Sequence, residues 1–433
     1  MAIIAVAAAC ADAPTAPTAS EISPLGARPS FNLSSSPIDM WSPTEGAIFS
    51  GEQKLAGVLK GYSPNQYDMY WRVDGAGWGK MANATSPSAH KYAYINADGW
   101  TWSGTGPYLI SFQARDKTGR VVAERSASIF VARAGLNLFK GATFFADPYS
   151  NAKQQASAWA TTRPEDAKLM GYIAQRAQAD WFGDWNGDIA KAVGQRMNTV
   201  TEAGALPVFV AYNIPIRDCR GYSGGGATSA SAYRSWISAF AKAIGARKAV
   251  VILEPDALAA LDCLTAADQK LRMSLIRDAV RTLKTQPNVS VYVDGGNPGW
   301  KSAAVMADRL NTAGIGFADG FALNVSNYFS TRLNLEYGEA LAARVGGKHF
   351  VIDTSRNGLG ESSTAEWCNP LGRALGESSS ATTGHPLVDA FFWIKRPGES
   401  DGSCNGGPSA GGWWAEYALG LATNMPVQLA ALW

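Results

Sequence analysis

The sequence predicts an α/β protein in two parts: a small all-β immunoglobulin-like sandwich, then a distorted, TIM-like (β/α) barrel. Three observations predict it. Short alternating runs broken by Gly, Pro, Asn and Asp fill residues 38–134, and from residue 137 helix-like segments alternate with β-branched runs. Six of those runs (208–212, 250–253, 289–293, 321–325, 350–352 and 391–394) pass directly into carboxylates, amides or glycines. Apolar strands with polar groups at their C-terminal ends and helices between them are the pattern of a barrel enzyme. Most of those polar groups are acids, which points to proton-transfer chemistry.

Residues 1–37 begin with a short, Ala-rich apolar run and continue as an Ala/Pro/Thr/Ser-rich linker. The run lacks the basic start of a signal peptide and reads as the remnant of a longer one. Ala7-Ala8-Ala9-Cys10 is a poor lipobox, so lipid attachment at Cys10 is the lesser expectation beside plain export. Residues 38–135 are the expected sandwich, with strands near 54–59, 69–73, 92–95, 108–114 and 121–131 and hairpin turns at Asp74-Gly75 and 116–119. Its Trp71, Trp78, Trp100 and Trp102 could form a sugar-binding face; a spacer or stabilising module is the favoured reading. Residues 136–433 are the expected barrel domain, with helices at 152–159, 167–178, 188–203, 229–244, 266–285 and 301–312 and a closing segment at 413–422.

Composition excludes several classes. Lys and Arg number 38 against 36 Asp and Glu, so a net charge of +2 gives no field for nucleic acid or an anionic membrane. No run approaches the roughly 20 apolar residues of a membrane span. His90, His349 and His385 are the only histidines and are far apart, which disfavours a His-based metal centre or a Ser-His-Asp triad. Fifteen Trp are many for this length. Core packing accounts for most of them, but indole planes also stack on the apolar faces of pyranose rings. Cys219, Cys263, Cys368 and Cys404 lie in or beside strand-end loops without a C-x2-C pair, so disulfides in an oxidising compartment are expected over a metal site. Four cysteines allow three pairings.

The candidate chemistry sits after the strands. Glu254-Pro255-Asp256 reads equally as a helix start or as an acid with a raised pKa at the barrel mouth. Tyr212 is followed by the pair Arg217-Asp218 and then Cys219, ahead of a Gly-rich loop. Asp294 shares a loop with Trp300, and Lys395, Arg396, Glu399 and Asp401 cluster after the last strand. Exposed ion pairs contribute only about 0–1 kcal/mol, so such a cluster seldom serves stability alone.

Seven blocks in one order resemble glycoside hydrolase family 6, the inverting endoglucanases and cellobiohydrolases that cut β-1,4-glucan. They are Tyr-x5-Asp-Cys (212–219), Val-Ile-Leu-Glu-Pro-Asp (251–256), Tyr-Val-Asp-Gly-Gly (292–296), Asn-Val-Ser-Asn-Tyr (324–328), Ile-Asp-Thr-Ser-Arg-Asn-Gly (352–358), Glu-Trp-Cys (366–368) and Trp-Ile-Lys-x-Pro-Gly-Glu-x-Asp-Gly (393–402). The resemblance implies Asp256 as general acid, Asp218 as the neighbour that keeps it protonated, Asp401 as the base acting on water, and Asp294 as an organising acid. It implies Tyr212 pressing on the distorted sugar, Lys395, Glu399 and Asn324 binding substrate, and Trp181, Trp300 and Trp367 as stacking platforms. It also implies the disulfides Cys219–Cys263 and Cys368–Cys404, no cofactor, no metal and a monomer. Asn297, Gly224 and His385 depart from frequent family residues, and none removes an essential carboxylate. Short segments at 256–263 and 405–412 argue for an open cleft and internal cleavage. An extracellular endo-β-1,4-glucanase is therefore expected, ahead of an exo-acting cellobiohydrolase or a non-catalytic glucan-binding protein.

Overall fold

The fold is described from a computed structural model, which covers residues 36–426 except 46, 50–51, 74–75, 85–89, 98–107, 132–138 and 140. Two compact units divide near residue 134. The expectations for residues 1–35, for the Asp74-Gly75 turn and for Trp100 and Trp102 lie outside the described residues.

Among its described residues, the first unit has nine strands: β1 (Ile38–Ser42), β2 (Ala47–Phe49), β3 (Glu52–Leu59), β4 (Tyr67–Val73), β5 (Gly79–Lys80), β6 (Ala82–Asn83), β7 (Lys91–Asn96), β8 (Tyr108–Asp116) and β9 (Val121–Val131). They form two sheets, β1-β3-β7-β6 and β2-β9-β8-β4-β5. Strand alternation drives their packing: on β4, Tyr67, Met69, Trp71 and Val73 are buried and the residues between them are partly open. These join Ile38, Leu55, Tyr108 and Phe112 in one core. Trp71 is thus a core residue and unavailable to a sugar, which corrects one member of the proposed face. Trp78 is covered by Arg72, 4.5 Å from its ring centre. The expected turn at 116–119 is present: the Gly119 N–H donates to Asp116 O, and Asp116 Oδ1 accepts from Thr118 and Arg120.

The second unit runs α1 (Asn151–Trp159), α2 (Pro164–Ala174), β10 (Asp180–Phe182), α3 (Ile189–Glu202), β11 (Val208–Ala211), α4 (Ala230–Ile244), β12 (Ala249–Leu253), α5 (Ala266–Leu283), β13 (Val289–Asp294), α6 (Ala303–Thr312), β14 (Gly320–Leu323), α7 (Thr331–Ala342), β15 (His349–Asp353), β16 (Val388–Phe392) and α8 (Ala415–Thr423). Ser150, Asp188, Ser229, Thr265, Ser302 and Ser330 cap six helices, each accepting an N–H three residues on. The seven strands β10 to β16 pair in parallel in chain order. Phe209, Val251, Val291 and Phe321 pack outward under the helices, while Val208, Val210, Val250 and Ile252 fill the inside. Burial on both faces explains why these strands read as continuous apolar runs.

The barrel is a curled seven-strand sheet whose first and last strands do not form a ladder. They are joined by one backbone bond, Ala179 N–H to Trp393 O, and by the Trp181 indole donating to Ile394 O. Phe139 and Phe144 pack against Phe392 there, with ring centres 5.9 and 5.2 Å away. Among the described residues, no helix is long and apolar enough to cross a membrane.

Candidate active site

Each strand of the curled sheet delivers its polar residues to the same end, and the backbone there departs from regular geometry. Ile216, Asp218, Cys219 and Arg220 after β11, Glu254 and Asp256 after β12, and Asn324 and Ser326 after β14 all have positive φ. Side-chain-bearing residues in this region cost about 1–3 kcal/mol each and persist where surroundings over-determine them. Buried polar groups supply that constraint. Glu254 accepts the N–H groups of Asn213 and Ile214, and Asp353 accepts those of Ser326, Ser355, Ile394 and Lys395.

A cleft of about 420 Å³ opens at this end. Asp218, Asp256 and Asp401 line it, with Tyr212, Ser223, Asn297, Trp181, Trp300, Trp367 and Lys395. Asp256 hangs from a backbone N–H held by Asp294 Oδ1 at 3.0 Å. Burial, reinforced by the negative charges of Asp294, Asp218 and Asp401 and opposed by Lys395, holds the Asp256 carboxyl well above the ordinary range. It is therefore protonated where a free aspartate is ionised. Asp218 is raised by burial, against the Ser223 N–H that it accepts at 2.7 Å. Asp294 is raised by burial as well, lies beneath the cleft wall, and accepts the N–H groups of Asp256 and Gly296.

Asp401 has the opposite environment. Burial would raise it, but Arg356 and Lys395 outweigh burial and hold it below the ordinary carboxylate range. Arg356 Nη1 donates to Asp401 Oδ2 at 2.9 Å, Lys395 Nζ lies 3.7 Å from Oδ1, and the Tyr328 hydroxyl and Asn369 N–H also donate to Oδ2. Tyr417 meets Tyr328 hydroxyl to hydroxyl at 2.8 Å. Arg356, Tyr328 and Asn369 are absent from the sequence-level candidates. Arg356 and Tyr328 lay inside quoted motifs, but nothing in those motifs says that a residue after β14 and one after β15 converge on an acid after β16.

The aromatic candidates fall into place around the acids. Trp181 stands edge-on to Tyr212 at 5.2 Å, with Trp300 (40% exposed) and Trp367 (50% exposed) further along the cleft. Tyr222, not among the candidates, lies 6.2 Å from Trp367. Three candidates do not line the cleft: Asp294, beneath its wall, and Asn324 and Glu399. Asn324 is fully buried: its amide donates to Asp353 O and its oxygen accepts the Phe329 N–H, so it braces the loop after β14. Glu399 pairs with Arg396 and lines a separate small recess with Asp180 and Arg196. Asn297 lines the cleft with its oxygen engaged by the Gly299 N–H, whereas His385 is bonded to Glu339 outside the cleft lining. Both expected disulfides are present, Cys219–Cys263 and Cys368–Cys404.

A groove at the C-terminal end of a parallel sheet, rimmed by indoles and lined by one carboxyl pushed up and one pulled down, has the parts a glycoside hydrolase needs. The description Glycosyl hydrolases family 6 matches residues 139–425, and the chain belongs to that family. It is 47% identical over 287 residues to Endoglucanase 1 of Streptomyces halstedii, which covers 64% of this chain and 87% of that protein. Endoglucanase A of Cellulomonas fimi is 45% identical over 284 residues, 65% of this chain and 61% of that protein. Among solved structures, the endoglucanase Cel6 of Mycobacterium tuberculosis, in complex with a thio-linked cellobioside, superposes with a TM-score of 0.64 at 42% identity, covering 67% of this chain and 99% of that one.

Proposed function

We propose that this chain is an extracellular, inverting endo-β-1,4-glucanase. Asp256 donates a proton to the departing glycosidic oxygen, while water attacks C1 from the opposite face through an oxocarbenium-like state. Asp401 is the base for that water. Asp218 and Asp294 keep Asp256 protonated by adding negative charge around it, and Asp294 also fixes its backbone. Tyr212 presses on the sugar at the cleavage point, and Trp181, Trp300 and Trp367 stack its neighbours. The observation that carries this reading is the divergence of two carboxyls on one cleft, Asp256 pushed up and Asp401 pulled down. Such divergence supports Asp256 as the acid and Asp401 as the base.

Internal cleavage is supported by the relatives: endoglucanases at 45–47% identity, against 28% for a probable 1,4-beta-D-glucan cellobiohydrolase C of Neosartorya fischeri. Two disulfides support an oxidising, extracellular setting. Carboxymethylcellulose hydrolysis tests the reading. Viscosity should collapse well before many reducing ends appear. Reducing ends accumulating at nearly constant viscosity would make the enzyme exo-acting, and no reducing ends at all would leave a binding protein.

A further inference from the structure

Two buried ionisable side chains outside the cleft grip one backbone segment from opposite sides. Glu254 accepts the N–H groups of Asn213 (3.0 Å) and Ile214 (2.9 Å), and Arg272 on α5 donates one Nη2 to the carbonyls of Pro215 and Ile216, each at 2.7 Å. Arg272 Nη1 reaches Ala257 O, the residue after Asp256, at 3.4 Å. Glu254 and Arg272 are 1% and 3% exposed, and neither has a salt-bridge partner among the described residues. A buried cation without an ion-pair partner is costly, and here the carbonyls of Pro215, Ile216 and Ala257 compensate Arg272. What the pair holds is the strained stretch that aims two acids. Ile216, a β-branched residue, has φ 57°, Asp218 has φ 51°, and Asp256 has φ 68°.

We propose that Glu254 and Arg272 are positioning residues for the acid step, fixing Asp218 against Asp256 by clamping the loops after β11 and β12. The proposal rests on the assignment of Asp256 as general acid. With the clamp loosened, Ile216 and Asp218 relax toward ordinary backbone and Asp218 withdraws from Asp256. Asp256 then loses part of the negative field that keeps it protonated. The groups facing Asp256 are Asp294 from β13, Asp218 from the β11 loop, and Asp401 and Lys395 after β16. Only Asp218 belongs to the clamped segment. Those facing Glu254 are Arg217, Arg272, Tyr212 and Tyr233.

The test compares Arg272→Lys, Arg272→Met and Glu254→Gln with the parent chain on two substrates: soluble β-glucan, whose leaving group needs a proton, and dinitrophenyl β-cellotrioside, whose leaving group does not. Melting temperatures identify the folded variants, and Glu254→Gln, nearly isosteric, carries the test if the Arg272 variants do not fold. The expected result is a kcat on glucan lower by about 10- to 100-fold, as for a misplacement of about 1 Å. KM and aryl glycoside turnover stay near the parent values, and the alkaline limb of the glucan pH profile moves toward acid. Equal losses on both substrates with an unmoved pH profile would reduce the pair to structural supports and overturn the proposal, as would full activity. Asp256→Asn is the control: if it too lost both substrates equally, the acid assignment itself would fall, a distinct outcome.

Discussion

Residue by residue, the cleft works through contrast. Asp256 lies among acids on the cleft, and Asp401 lies in a double cationic grip. Asp256→Asn should lower glucan turnover by about 10²–10⁴-fold, the usual contribution of a general acid; steady-state kinetics on soluble β-glucan checks this, and a merely tenfold loss would refute the assignment. The glucan profile should be bell-shaped, its acid limb set by Asp401, held low by Arg356 and Lys395, and its alkaline limb by the raised Asp256. Arg356→Met should raise the acid limb, because it removes the cation that keeps Asp401 ionised. Stability has its own pH dependence. Burial raises Glu254 from 4.5 to about 7, opposed by the Asn213 and Ile214 N–H groups. The folded chain therefore holds a proton that the unfolded chain has lost between those values, so this group's contribution is full below about 4.5 and is lost as pH rises through about 7. The melting temperature should fall across that window, and Glu254→Gln should flatten the fall. That Asp218, Asp256, Asp401 and the three indoles share one cleft was legible from motif order. Arg356, Tyr328 and Asn369 were not, since their role depends on three loops meeting. Asn324 misled because a motif position does not say whether a side chain faces the groove or the wall behind it.

At the level of elements, six of the seven barrel strands were visible because burial on both faces makes them continuous apolar runs with polar ends. The missed pieces have physical reasons. Strand β10 is three residues long, too short for periodicity to register. Helix α7 carries Gly338 mid-helix, where a Cβ would sit 2.4 Å from the Phe350 ring. The glycine weakens the helical signal because close packing on β15 demands it. Gly338→Ala should therefore destabilise the fold by about 1–3 kcal/mol, overpacking outweighing the ~1 kcal/mol gain in helix propensity, measurable by urea denaturation. The loop before β16 depends on the Cys368–Cys404 bridge across 36 residues. Beside it, Asn369 exchanges two hydrogen bonds with Asp401. Replacing both cysteines by Ser should cost about 3–4 kcal/mol by loop entropy. It should also lower activity at temperatures where the chain is still folded, because the Asn369 contact to Asp401 loosens.

For the molecule as a whole, the presence of all-β sheets ahead of a parallel α/β unit was readable from texture alone, and two compact units divide near residue 134. Closure of the barrel was not readable, because the first and last strands meet through one backbone bond, the Trp181 indole, Arg396 and a few aromatic rings, which leave no periodic trace. Each unit has its own core. A chain beginning at residue 136 should fold and keep its kcat on soluble glucan; failure to fold would mean that the barrel's stability depends on the all-β unit. Cleavage is proposed to be a single displacement with Asp256 as acid and water as nucleophile. The most direct measurement is proton NMR of the first products released from a β-glucan oligomer, read before mutarotation. The α-anomer at the new reducing end is predicted, and the β-anomer would contradict the account.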